Sequence, residues 1–177
     1  MKHFMIIACL ALLPFPALAE IKQSMTVDEA YKAIPHQKTK FDSLKGSMSG
    51  DEKAFLDVFF ELVDLAMVER VSSMQAISSG KAVSANYDEI DRRLMSIEVP
   101  EKLKTAHMLV TQAVQEQRKY LEQWKNSGGA FNVGDPLIGS SSAKLVQAYG
   151  ELMRIYPQES EHNKKAFFDH LCALDFK

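Results

Sequence analysis

The sequence predicts an all-α protein, an up-and-down antiparallel bundle of four main helices with one or two short extra helices. Three observations predict this class. Apolar residues recur at helical spacing along several long segments, alternating strand patterns are absent, and the connections between the later helices are short. Because short connections favour antiparallel neighbours, a bundle is the natural architecture.

The first nineteen residues have the pattern of a secretory signal peptide. A short basic start precedes an apolar run over residues 4–13, and Ala17-Leu18-Ala19 forms a small-x-small cleavage site before Glu20. The run is shorter than the roughly 20 residues that a membrane-spanning helix needs. We therefore expect cleavage near Ala19 and an exported protein, periplasmic or secreted, that is soluble and has no integral membrane segment.

Cleavage would leave 158 of the 177 residues, which is one domain's worth of chain. We expect an N-terminal segment with a short helix over 20–50 and a helical bundle domain over 51–177. The formal charge of -2 becomes -3 without Lys2, and the basic residues are scattered, so nucleic acid and anionic membrane are poor partners. Cys172 would be the one remaining cysteine, either buried and inert, which we favour, or paired between chains.

The first two helices have clear signals at both ends. In "MTVDEAYKAIP", Thr26 is a candidate N-cap, Glu29 completes the pattern of a capping box, and Pro35 stops the helix. The longest helix is predicted over residues 51–78, between Ser49-Gly50 and Gly80.

The rest of the chain predicts four more helices and one long loop. "SANYDEIDRRLMSI" forms a shorter helix that ends near Pro100, and residues 101–126 form a second long helix. The Gly-rich stretch "SGGAFNVGDPLIGSSS" is expected to be a loop, with Ser140 to Ser142 capping a helix over 140–156. The last helix, over 160–175, is predicted to begin at an N-cap, Ser160.

Arg70 lies where the longest helix should be apolar. The polar stripe of this helix contains Asp57, Glu61 and Asp64, and Arg70 falls about 180° from Glu61 at 100° per residue. Three interpretations are open: Glu69 and Arg70 lie in solvent beyond the bundle, Arg70 binds an anionic ligand in a cavity, or Arg70 pairs with a carboxylate of another helix. The candidate carboxylates for such a pair are Asp88, Asp91 and Glu116.

Other polar residues interrupt the apolar stripes of later helices. Gln117 lies near the centre of the stripe in residues 101–126 and His107 near its edge, while His170 and Asn163 interrupt the stripe of the last helix. We therefore predict a ligand-binding set of Arg70, Gln117, His170 and His107. Each histidine alone is more often a satisfied core or boundary residue than a metal ligand.

A haem or transition-metal site is the alternative that these histidines leave open. His with Met is a workable axial pair for haem iron, and the predicted architecture is similar to that of the periplasmic haem-binding four-helix cytochromes. However, Cys-x-x-Cys-His is absent, and Glu-x-x-His occurs once, at Glu159 and His162, where a di-iron site needs two copies. We expect no cofactor, with haem or a metal as the alternative.

Catalytic motifs are incomplete. Gly134 and Gly139 resemble the glycines of a phosphate-binding loop, but the required lysine is replaced by Ser140 and no strand precedes them. Ser141 and Lys144 match Ser-x-x-Lys without its companion motifs. The sequence thus predicts an exported binding or protein-interaction module of the cell envelope, not an enzyme, whose partner is an envelope protein or a small ligand. A haem or metal carrier that uses a bundle-core histidine with a methionine is the alternative.

Overall fold

The computed structural model describes residues 24–46, 48–81 and 86–176, and all regular structure within these ranges is helical. The all-α prediction is confirmed for this part of the chain. The predicted signal peptide over residues 1–19 lies outside the described residues.

Capping boxes begin the first two helices. Helix α1, Val27–Ala33, begins where the Thr26 hydroxyl accepts a hydrogen bond from the Glu29 amide and the Glu29 carboxylate accepts one from the Thr26 amide. Helix α2, Gly50–Ser78, begins with the same reciprocal pair between Ser49 and Glu52. Each pair satisfies amides that the first turn of a helix leaves without partners, so the predicted starts of both helices are confirmed.

The middle of the chain forms two helices joined by a short segment, residues 97–100, and a 3₁₀ turn. Helix α3 spans Tyr87–Ser96, and a single 3₁₀ turn, Glu101–Leu103, leads directly into helix α4, Lys104–Ser127. Helix α4 ends at Gly128, whose φ of 61° is the left-handed conformation that glycine adopts without strain.

Helix α5, Pro136–Ile155, begins four residues earlier than predicted. Asp135 is its N-cap and accepts a hydrogen bond from the Leu137 amide, and Pro136 occupies the first helical position. The prediction that Ser140 to Ser142 cap this helix was wrong, because these serines lie inside it. Helix α6, Glu161–Leu174, does begin at the predicted cap, Ser160.

A hydrophobic cluster joins all parts of the described chain. Helix α2 packs against α1, α3, α4 and α6, while α4 packs along α5. Phe59, Phe60 and Phe167 are almost completely buried in this cluster, and each contributes about 1.5–3 kcal/mol by leaving water. Phe41 and Tyr31, from the N-terminal segment, belong to the same cluster.

No helix among the described residues is long and apolar enough to cross a membrane.

Candidate functional site

A surface groove of about 420 Å³ lies between α2 and the extended segment that follows α1. One wall carries Lys38 and Lys40, and the opposite wall carries the α2 carboxylates. The floor is aromatic: the ring centroids of Phe41 and Phe60 are 5.5 Å apart, and those of Phe60 and His170 are 4.8 Å apart. The lining carboxylates are Asp57, Glu61 and Asp64. The size lies within the range of small-ligand sites.

Asp64 is held inside the groove by two donors. The Tyr31 hydroxyl donates to Asp64 Oδ1 at 3.0 Å, and His170 Nδ1 lies 2.7 Å from the same oxygen. Because a carboxylate only accepts, the imidazole donates its Nδ1 hydrogen. Burial, with the neighbouring Asp64, raises the pKa of Tyr31 far above its ordinary value, so the phenol keeps its proton and remains a donor.

His170 is buried, with 3% of its surface exposed, and it lines the groove. Its Nε2 atom is buried and has no hydrogen-bond partner among the described residues. Of the four predicted binding residues, His170 is the one that lines this groove.

Arg70 is buried but is not in the groove. Its Nη2 donates to the main-chain carbonyl of Ala173 at 2.8 Å, its Nη1 lies 3.4 Å from the Met74 sulfur, and the guanidinium packs over the Phe176 ring at 5.4 Å. Burial lowers the pKa of Arg70, and the nearby Asp175 carboxylate opposes that shift. The side chain is thus enclosed at the end of α6, with 3% exposure, and does not project into solvent.

The three carboxylates proposed as partners for Arg70 pair elsewhere. Arg118 binds Asp88, Gln115 donates to Asp91, and Lys144 lies 2.8 Å from Glu116. Arg70 instead neutralises a helix C-terminus, where the last carbonyls carry partial negative charge.

Gln117 of α4 also donates a hydrogen bond to a carbonyl at the C-terminal end of α6. Its Nε2 donates to the carbonyl of Leu174 at 2.8 Å, one residue beyond the carbonyl that Arg70 binds. Ser142 of α5 donates to the Asp175 side chain at 2.5 Å. Three helices therefore hold the C-terminal end of α6.

His107 lies at the contact of α4 with α3. Its Nε2 is 2.8 Å from the Leu94 carbonyl, so it donates there, and its ring packs against Phe55 and Phe59. Burial lowers the pKa of His107, while the bond to Leu94 partly opposes this shift. The structure thus brings Arg70 and Gln117 together and places His107 and His170 in two other sites.

Asn163 anchors the loop next to the groove. Its Oδ1 accepts from the Asp42 amide at 3.1 Å, and its Nδ2 donates to the carbonyls of Asp42 and Lys45 and to Glu159 Oε1. Glu159 also accepts from the Ser160 amide. This buried pair fixes residues 42–46, which directly follow the lysine wall.

Ser141 and Lys144 do not meet as the Ser-x-x-Lys motif would require. The Ser141 hydroxyl is buried without a partner among the described residues, and Lys144 Nζ contacts Ser140 and Glu116. Glu159 and His162 also separate: Glu159 is buried, whereas His162 is exposed and lies 3.0 Å from the Lys40 carbonyl.

Cys172 is half-buried, and its sulfur lies 3.7 Å from His36 Nδ1. Burial and two nearby aspartates raise the pKa of Cys172, which favours the unreactive thiol. Within the described ranges, no three His, Cys, Asp or Glu side chains are arranged to hold a metal ion.

Sequence reasoning missed the two walls of the groove. Asp57, Glu61 and Asp64 follow one another at helical spacing, which predicts the polar stripe of α2 but no second wall. Lys38 and Lys40 lie in a segment without periodicity, so nothing in the sequence placed them opposite those carboxylates. The spacing of the three carboxylates was the signal that the sequence offered for this site. It did not indicate that Lys38 and Lys40 lie across the groove from them.

Together these features define an all-helical protein with a charged groove over an aromatic floor. Comparison with protein-family models, curated proteins and solved structures finds no match for this chain.

Proposed function

We propose that the protein is an exported binding protein of the cell envelope and that the groove between α2 and residues 38–41 is its ligand site. The observation that carries this proposal is the groove itself, with oppositely charged walls over the packed aromatic side chains of Phe41, Phe60 and His170. A small polar ligand suits these walls. We further propose that the four main helices adopt the up-and-down arrangement.

Preorganisation supports binding at this position. Tyr31 and His170 fix the Asp64 carboxylate from two directions, and Asn163 fixes the loop that continues from the lysine wall. A site whose groups are already held loses little conformational entropy when a ligand binds.

Export is supported by the leader pattern over residues 1–19. Edman or mass-spectrometric sequencing of the secreted or periplasmic protein should give an N-terminus at Glu20. A mature chain that starts at Met1 would contradict the proposal of a cleaved leader.

Ligand binding is tested by native mass spectrometry of the protein isolated from exporting cells. We expect a bound small molecule in the wild type that is lost in Glu61→Trp, which places an indole in the groove. Glu122→Trp is the matched control, because it changes an exposed helical glutamate outside the groove. Loss in both variants, retention in both, or a wild type without ligand would contradict the proposed site.

The haem or metal carrier stays a prediction. His170 and His107 each have a protein partner at 2.7–2.8 Å, and within the described part of the chain neither is bonded to a methionine sulfur. A Soret band after haem addition that His170→Ala abolishes would favour the carrier.

A further inference from the structure

Among the described residues, some of the charged side chains that line the groove have a partner within the protein and others form no ion pair. Lys38 pairs with Asp28 at 2.7 Å, and Asp64 accepts from His170 and Tyr31. Within the described residues, the other three lining charges form no ion pair within 4.0 Å; these are Lys40, Asp57 and Glu61. The groove therefore presents two anions on one wall and one cation on the other.

Asp57 and Glu61 are spaced closely enough on α2 to bind one cationic group together. Asp57 and Glu61 are four residues apart on α2, so their Cβ atoms are about 5–6 Å apart on one face of the helix. Two carboxylates at this spacing suit a guanidinium, whose planar fork donates hydrogen bonds in several directions. An ammonium group suits the same pair as a point charge.

Lys40 supplies the complementary feature on the opposite wall. Its ammonium group suits a ligand carboxylate. His170 adds a third observation, because it is 3% exposed, lines the same groove, and has an Nε2 atom without a partner among the described residues.

We propose that the groove takes a ligand with the chemistry of a basic amino acid, with its cationic side chain against Asp57 and Glu61 and its carboxylate against Lys40. Free arginine or lysine carries two positive charges and one negative charge, the mirror image of the uncompensated charges in the groove. A C-terminal arginine or lysine of a short peptide offers the same side chain and carboxylate. This inference rests on the proposed function, since it names the ligand class of that groove.

Isothermal titration of the full mature protein with three probes tests the ligand class. L-Arginine should bind most tightly. Agmatine lacks the carboxylate and L-citrulline lacks the guanidinium charge, so each should bind at least about tenfold more weakly. Titration with the dipeptide Ala-Arg then distinguishes the sources: affinity equal to that of arginine indicates a peptide C-terminus, and weaker binding indicates the free amino acid.

Substitutions of the groove residues test which side chains bind the carboxylate of the ligand and which bind its cationic group. Lys40→Met should remove the difference between arginine and agmatine, while Asp57→Asn with Glu61→Gln should remove the difference between arginine and citrulline. The control variants Lys119→Met and Glu98→Gln change exposed charges outside the groove and should preserve both differences.

Two results would overturn this inference. One is equal affinity for arginine, agmatine and citrulline in the wild type. The other is no arginine binding while native mass spectrometry still detects a ligand that Glu61→Trp displaces, in which case the groove remains a binding site for a different class of ligand. Absence of both the arginine heat and the displaceable ligand would instead overturn the proposed function.

Discussion

Asn163→Asp should destabilise the protein strongly, although the two side chains have nearly the same shape. The amide nitrogen of Asn163 donates to the carbonyls of Asp42 and Lys45 and to the Glu159 carboxylate at 2.7–3.1 Å, and an aspartate offers an acceptor in its place. The two hydrogens of this amide serve the three acceptors, so about two hydrogen bonds are lost at about 1 kcal/mol each. The buried acceptors then face a carboxylate, and that second carboxylate lies beside Glu159. We expect the free energy of unfolding to fall by about 3–5 kcal/mol at pH 7.

Urea denaturation followed by circular dichroism measures this loss, and the pH gives a second check. The loss should shrink at acidic pH, because protonation of the introduced carboxyl group removes its negative charge and gives it back one donor. Asn132→Asp is the control, since the Asn132 Oδ1 acceptor on the exposed Gly134 amide survives the substitution. A loss below about 1 kcal/mol in Asn163→Asp, or equal losses in both variants, would refute the assigned network.

Three further predictions concern single residues. Gly46→Ala should lower the melting temperature, because a φ of 106° costs about 1–3 kcal/mol for a non-glycine residue and its Cβ would overlap the buried Glu159 carboxylate; an unchanged melting temperature would contradict this account. His107→Gln should weaken the decline of stability between pH 7.5 and 5.5, measured by urea denaturation at several pH values. Because burial lowers the pKa of His107, the unfolded chain binds more protons below about pH 6.5 and the folded state loses stability there. Arg70→Met should cost about 1–3 kcal/mol in chemical denaturation by leaving the Ala173 carbonyl without its donor, whereas a more stable variant would show that desolvation of the guanidinium outweighs the bond.

Local signals predicted most helix boundaries, because a helix end depends on residues that are close in sequence. The capping box of Thr26 and Glu29 and the Ser160 cap needed no knowledge of the rest of the chain. The start of α5 lies before the predicted one, because the Asp135-Pro136 pair, a strong start signal, stands within a stretch whose Gly and Ser content is typical of a loop.

The candidate site was less predictable, because its contacts join distant parts of the chain. Helical spacing placed Arg70 and His170 on apolar faces, but it carries no information about which groups lie opposite. Asp64, the partner of His170, is 106 residues away from it, and the carbonyl that Arg70 binds is 103 residues away. Main-chain acceptors are especially hard to anticipate, since every residue offers one.

The bonds from Arg70 and Gln117 to the carbonyls of α6 also bear on how the chain folds. Both donors lie on helices that precede α6, and they are 103 and 57 residues away from their acceptors, Ala173 and Leu174. Such long-range closures slow folding, because the loop must close before the contact repays its entropy. Until the final turn of α6 docks, the Arg70 guanidinium and the Gln117 amide do not have the α6 carbonyls that they bind in the folded protein, so docking of that turn and completion of the core around it coincide.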